Sequence, residues 1–210
     1  MLIFMRKLFS LNYKALRRFF DEFVRQTNFF CCTILFYLNN VDCRDFQTNG
    51  LPFLSISRDG FLSIGKGLKM NNNLKSNPIG RSEKCIFFVD KGAKIIVGDN
   101  VGISGVAIVA HLSITIGNNV KIGGGVCIYD TDFHSIDPAN RNDGILDKKF
   151  ENKQPVIIED NVFIGAHSTI LKGVKIGENS LVGACSVVTK SIPSNEIWGG
   201  NPARFIKKIK

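Results

Sequence analysis

An all-β solenoid, a column of stacked parallel β-coils, is the fold class this sequence predicts, and three observations predict it. Ile158, Ile164, Ile170, Ile176, Val182 and Val188 recur every six residues without a miss. A small or β-branched companion stands two positions before each of the last five, at Val162, Ser168, Val174, Ser180 and Ser186. Glycine follows the aliphatic residue at Gly165, Gly177 and Gly183. A period of six does not fit a helical turn of about 3.6 residues, but it fits a short strand and a tight corner with the repeat residue and its companion both pointing inward. Each rung then covers the one before at a strand spacing of about 4.8 Å, and a narrow core grows along one axis.

Residues 1–50 follow another grammar. Leu8, Leu11, Ala15, Leu16, Phe19, Phe20 and Phe23 fall near helical spacing, and Arg6, Lys7, Lys14, Arg17, Arg18 and Arg25 supply a basic face. This predicts an amphipathic helix with two open destinations: an anionic membrane interface reached through residues 1–40, or the base of the solenoid and a neighbouring subunit. The apolar run Phe29 to Leu38 is shorter than the roughly 20 residues of a membrane span, and no small-residue cleavage site closes it. The expectation is a cytoplasmic chain, at most peripheral to the inner face of a membrane.

Strand-like text begins at Leu51, so residues 51–198 are assigned to the β-helix. PFLSISRDGFLSIG carries a corner at Asp59-Gly60 and a first repeat-like pair at Ile64-Gly65. The polar stretch from Asn71 to Lys84 reads as a loop inserted in the first coil. The repeat then runs through Val97, Ile103 and Val109 and, after a one-residue insertion, Ile116, Ile122 and Ile128, with companions Val101, Ala107, Ser113, Val120 and Val126. It stops between residues 129 and 155 and returns in phase at Ile158, five whole repeats after Ile128. A long polar insertion in a compact fold is usually functional, and this one is expected to leave the prism as a projecting arm. Residues 199–210, rich in Lys and Arg, are expected to form a short C-terminal helix or basic tail.

The run IGNNVKIGGGVCIYDTDFH, then IIEDNVFIGAHSTILKGVKIGENSLVGACSVVTKSIP and WGGNPARFI, resembles the hexapeptide-repeat acyltransferases over roughly the last 120 residues. The likeness is nearest to the polysaccharide and lipopolysaccharide O-acetyltransferase branch. It implies three flats to a coil, a left-handed coil, which general chirality rules would not give, and acetyl transfer from acetyl-CoA to a sugar hydroxyl of a surface polysaccharide or its lipid-linked precursor. A transfer of this kind needs a group of near-neutral pKa beside the acceptor oxygen, and the resemblance places the catalytic base at His134. Asp132 or Asp130 is the candidate carboxylate to orient its ring. The acceptor attacks the thioester directly, so no Cys or Ser nucleophile is required, and a corner amide near Ala166 is the oxyanion donor by analogy.

Matching the family's cofactor groove residue by residue points to Phe163, Ala166, Ala184, Thr189, Lys190 and Arg204, with Lys190 and Arg204 meeting phosphates. The alternative reading of those two is a repeat end and a solvated tail. Trp198 either covers the pantetheine or closes the last coil. Gly105 stands where sugar acetyltransferases of the galactoside and maltose type place an Asn, a departure that weakens transfer of their specificity. His111 reads as a solvated corner residue, and His167, after Gly165-Ala166 in a repeat corner, either faces the cofactor groove or, the favoured reading, sits at the surface. The three histidines lie 23 and 33 residues apart with no close pair, so no metal site is predicted.

Composition agrees with one modest domain: 210 residues, 44% hydrophobic and 21% charged. Cys31, Cys32, Cys43, Cys85, Cys127 and Cys185 show no spaced framework and read as free thiols in a reducing compartment. The net charge of +9 asks for an anionic partner. No nucleic-acid motif accompanies it, which leaves the phosphates of coenzyme A or an anionic membrane surface. A thin prism with one loop would leave an open site, so a homotrimer with sites shared between subunits is expected. Two alternatives stand beside the enzyme reading: a non-catalytic β-helix scaffold, and an acetyltransferase for a small soluble sugar or nucleotide-sugar amine.

Overall fold

In the computed structural model, which describes residues 2–43, 45–77 and 83–209, short strands alternate among three sheets in strict rotation. The first face carries Asp42–Cys43, Phe61–Ile64, Lys94–Val97, Ser113–Ile116, Val156–Ile158 and Lys175–Ile176, each parallel to its neighbour. The second carries Phe46–Asn49, Leu68–Asn71, Gly102–Ser104, Lys121–Ile122, Phe163–Ile164, Leu181–Val182 and Glu196–Gly199. The third carries Phe53–Ile56, Ile86–Val89, Ala107–Ala110, Cys127–Tyr129, Thr169–Ile170 and Val187–Val188.

In-register pairing stacks the repeat residues into columns: Ile116 on Ile158 on Ile176, Ile122 on Ile164 on Val182, and Ile128 on Ile170 on Val188. All of these are buried, and full burial of an aliphatic side chain contributes about 1.5–3 kcal/mol. The companion serines are buried too, because their hydroxyls donate to backbone oxygens: Ser168 to Gly183 at 3.0 Å and Ser180 to Pro193 at 2.7 Å.

The corner between first and second faces takes a left-handed residue at each level from Gly67 onward. Asn100, Asn119, Asn161, Asn179 and Asn195 supply it at φ between 58° and 62°, the conformation that asparagine tolerates better than other side-chain-bearing residues. Their amides donate up the column at 3.4, 3.2, 3.1 and 3.0 Å, forming a ladder along that edge.

Four expectations are revised. The coils begin at Asp42, ahead of Leu51, because Phe46 and Thr48 turn inward on a strand that pairs with Leu68–Asn71. The inserted polar stretch 71–84 therefore lies in the second coil, and its residues 78–82 are outside the described ones. In the coil through residue 108 the phase slips by one: Ile108, Ala110 and Ile114 point inward, whereas Ala107, Val109 and Ser113 are half-exposed. The tail is not helical. After the turn at Asn201-Pro202, Arg204–Lys208 folds back as an antiparallel strand on Glu196–Gly199, giving the last rung's open edge a partner. Trp198, half-buried on the core with its indole donating to Glu196 at 2.7 Å, closes that last rung.

Helix α1 (Leu2–Leu38) caps the opposite end. Cys32 and Phe36 are buried against the first coil, and Phe46 stacks on Phe29 at 4.9 Å and meets Phe36 edge-on at 5.1 Å. The N-terminal half, from Phe9 to Thr27, is exposed along its length. No helix among the described residues is long and apolar enough to cross a membrane.

Candidate active site

The arm replaces one corner between the third and first faces. It leaves after Tyr129 and returns at Val156, and its two ends form a short antiparallel ribbon: Thr131 bridges Lys153, Asp132 N donates to Asn152 O at 3.1 Å and Gln154 N to Asp130 O at 2.9 Å. Two short helices fill it, α2 (Pro138–Arg141) and α3 (Gly144–Lys149). Each starts where the sequence provides a cap. Asp137 accepts from Ala139 N ahead of Pro138, and Asp143 accepts from Ile145 N and Leu146 N.

His134 stands on the outward side of the arm's root, its side chain 66% exposed. Its Nδ1 lies 2.7 Å from Asp147 Oδ2 in the first turn of α3, and Asp147 Oδ1 accepts Ser135 N at 2.6 Å. The hydrogen bond from His134, then that from Ser135, holds the Asp147 carboxyl below the usual carboxylate range. An ionised carboxylate only accepts, so the proton facing it is on Nδ1 and Nε2 is left as an exposed acceptor.

Neither carboxylate expected to orient the ring does so. Asp130 is fully buried and accepts three corner amides, those of His111, Leu112 and Ser113, at 2.7, 2.8 and 2.6 Å. It fixes the corner at which the repeat slips phase. Asp132 turns to the next level and pairs with Lys172 at 2.7 Å, pinning the arm to the coil above. The orienting residue, Asp147, is thirteen positions beyond His134.

Phe133, immediately before the histidine, takes φ +65°, a costly conformation for an aromatic residue. Its amide donates to Thr131 Oγ1 at 2.8 Å, and its ring packs edge-on against Tyr129 at 5.2 Å and His111 at 5.6 Å. This local kink turns the next side chain away from the prism. Below it lies a polar anchor. Glu151, buried, accepts from Thr131 in a very short contact, pairs with Lys153 at 3.1 Å and places Oε1 2.5 Å from His111 Nδ1, out of line for a hydrogen bond. His111 is thus covered by the arm, not solvated. Burial pushes the Glu151 carboxyl up, but Thr131, Lys153 and His111 together hold it net below its ordinary range.

The matched cofactor positions divide between two edges. Ala166 and Ala184 stack at the corner between second and third faces, with Cys185 N donating to Ala166 O at 2.8 Å, and Phe163 stands half-exposed on the second face beside them. One level down on that edge, Gly105, Gly125, Cys127 and His167 line a hollow of about 310 Å3, so His167 is half-buried in it and not on the open surface. Gly105 has φ +53°, and a Cβ there would sit 2.8 Å from Glu83 O, so a side chain at this position requires the neighbouring loop to move. Thr189 and Lys190 lie on the other edge of the third face, the edge that carries His134. Arg204 opens the final antiparallel strand opposite Gly199.

Residues 155–190 match the family described as the hexapeptide repeat of succinyl-transferase. WbbJ of Escherichia coli K12, whose name assigns it provisionally to lipopolysaccharide biosynthesis as an O-acetyl transferase, is 33% identical over 156 residues, covering 73% of this chain and 74% of its own length. The chain belongs to the hexapeptide-repeat acetyltransferases. Other members agree with this: the galactoside O-acetyltransferase of Escherichia coli K12 is 38% identical over 119 residues, 56% of each chain. The maltose O-acetyltransferase structure from Clostridium difficile 630 superposes with a TM-score of 0.50 at 31% identity, covering 75% of this chain and 71% of that one. The chain spans 55–60% of the length of several of the curated relatives it matches. The left hand expected of the coils goes with this hexapeptide-repeat family.

Proposed function

We propose that the protein is an acyl-CoA-dependent O-acetyltransferase that moves acetyl from acetyl-CoA to a sugar hydroxyl, on a surface polysaccharide or its lipid-linked precursor, and works as a homotrimer. The observation that carries this reading is the His134–Asp147 pair, with Nδ1 committed to the carboxylate at 2.7 Å and Nε2 open to solvent. Nε2 takes the proton of the acceptor hydroxyl as its oxygen forms a bond to the thioester carbonyl carbon. The imidazolium, steadied by Asp147, returns that proton to the departing coenzyme A thiolate as the carbon–sulfur bond breaks. Acetyl ester and free thiol are the products, with no covalent enzyme intermediate.

The division of the matched residues between two edges supports the trimer. Phe163, Ala166 and Ala184 lie at or beside the edge between second and third faces and His134 and Lys190 at the edge between third and first, so a groove formed by one edge from each of two neighbouring prisms would gather both sets. The related galactoside acetyltransferase structure, with a TM-score of 0.52 at 32% identity, is described in complex with coenzyme A. Phe163 and the small corner residues suit a long apolar pantetheine arm, and Lys190 and Arg204 suit its phosphates.

Thiol release from acetyl-CoA with an oligosaccharide acceptor tests the proposal. His134→Ala is expected to lower turnover by about 100-fold to 10,000-fold while the coenzyme A-induced rise in melting midpoint is kept. Normal turnover in that variant would sink the catalytic assignment. No melting shift of the wild type with millimolar coenzyme A would favour a scaffold that has lost its chemistry.

A further inference from the structure

One face of the N-terminal half of α1 packs on nothing among the described residues. From Phe9, exposed apolar residues step by four and three through Tyr13, Leu16, Phe20 and Phe23 and reappear one heptad on at Phe30, each 55–68% exposed. At about 100° per residue, the buried cap residues Cys32 and Phe36 lie about 200° and 240° around the helix from Phe30, so this stripe faces away from the solenoid. Phe19 and Val24, also exposed, widen it on either side.

The polar face is basic. The helix holds six Lys and Arg against two acids, net +4, and both acids are engaged within it: Glu22 with Arg25 at 2.8 Å and Asp21 with Arg17 at 3.6 Å. We infer that this half of α1 lies in the interface of an anionic lipid surface, with its Phe-rich stripe among the acyl chains and Lys14, Arg17 and Arg18 at the headgroups. A seam between copies of the chain would have complementary charges flanking the stripe. Here the flanking positions hold Arg17, Val24 and Cys31 on one side and Phe19 and Gln26 on the other, with no opposite-charge pair to form. Aromatic residues over one arc and cations over the rest suit a lipid surface instead.

This inference does not depend on acyl transfer, and its test reads none. The whole chain is sedimented with vesicles of phosphatidylcholine alone and of phosphatidylcholine with phosphatidylglycerol. Binding is expected to the anionic vesicles and to weaken with salt. Lys14→Ala with Arg18→Ala is expected to lower affinity by about 25-fold, each basic residue near an anionic surface being worth about fivefold. Phe20→Glu with Phe23→Glu is expected to abolish binding while leaving the oligomeric state and coenzyme A response intact, since both positions are exposed. Failure of the wild type to bind anionic vesicles would overturn the inference. So would vesicle binding that survives in the double glutamate variant. Loss of the oligomer in that variant would make the stripe a seam between copies, which also overturns it.

Discussion

Replacing Asp147 by Asn separates orientation of the base from mere presence of the histidine. The carboxylate has two duties: Oδ1 accepts Ser135 N at 2.6 Å and Oδ2 faces His134 Nδ1 at 2.7 Å. An asparagine can keep the first contact through its carbonyl oxygen, but it then presents an NH2 to Nδ1. The ring must accept there, so its proton moves to Nε2, the atom that has to take the proton of the acceptor. The variant thus has an intact site in the wrong tautomer, and it also loses the anion that steadies the imidazolium. Its turnover should fall nearly as far as that of a histidine deletion, by about 100-fold or more, with an unchanged coenzyme A melting shift. Asp132→Asn is the control: its partner is Lys172 at 2.7 Å and it does not touch the ring, so its turnover should stay within about threefold while stability falls by about 1 kcal/mol. The assay is thiol release under saturating acetyl-CoA. If Asp132→Asn were the crippled variant and Asp147→Asn the active one, the assignment of the orienting carboxylate would be refuted.

Two further predictions concern the scaffold. A Cβ added at Gly165 would sit 2.4 Å from Ala184 N and 2.8 Å from Ala184 Cα, so Gly165→Ala must push two rungs apart; a cost of about 3 kcal/mol should lower the melting midpoint by about 6–12 °C in differential scanning fluorimetry. Glu151, whose carboxyl is held below the ordinary 4.5, contributes stability that is present above that value and is lost as pH falls through its lowered folded value; the wild-type melting midpoint should drop from about pH 4.5 downward, and Glu151→Gln should start lower and show a flatter acid limb, an unchanged limb being the result against it.

The coils were legible because their physics is local and repeated. From Ile158 to Val188 each inward position is an aliphatic residue six apart, and register follows once one rung covers the next. The phase slipped at Val109 because Ile108 and Val109 are both β-branched and apolar, and what decides between them is the corner at residues 111–113, clamped by Asp130 from a later coil. The tail departs from its expectation for a similar reason: the basic stretch does not specify a strand by itself, and the open edge of the last rung makes residues 204–208 one. His134 stands in a recognisable motif, whereas its partner lies thirteen residues further on, past two helix starts. Asp143 ahead of Gly144 is an N-cap signal, and it predicts a turn of helix inside the arm with Asp147 on its first turn. That carboxylate reaches the ring only because α3 folds the chain back, so the two aspartates nearer in sequence are the more obvious candidates.

The three edges of the prism have different chemistries, and this division explains where an active site can form. Along the edge between first and second faces the asparagine side chains are engaged with one another from Asn100 to Asn195, so the corner is saturated and presents little to bind a ligand. Along the edge between second and third faces the corner residues are the small Gly105, Gly125, Ala166 and Ala184, with a hollow beneath. The remaining edge carries the arm, and its residues serve to hold that arm still. Asp130 and Asp132 tie its departing strand to the coils on either side, and Glu151 ties its returning one to Thr131 and lies against His111. A histidine on a bare loop would sample many positions, whereas His134 leaves an anchored ribbon through one kinked residue. The carboxylates nearest the histidine in sequence are therefore occupied in restraining the loop, and the task of orienting the ring falls to one that α3 brings back from further along the chain.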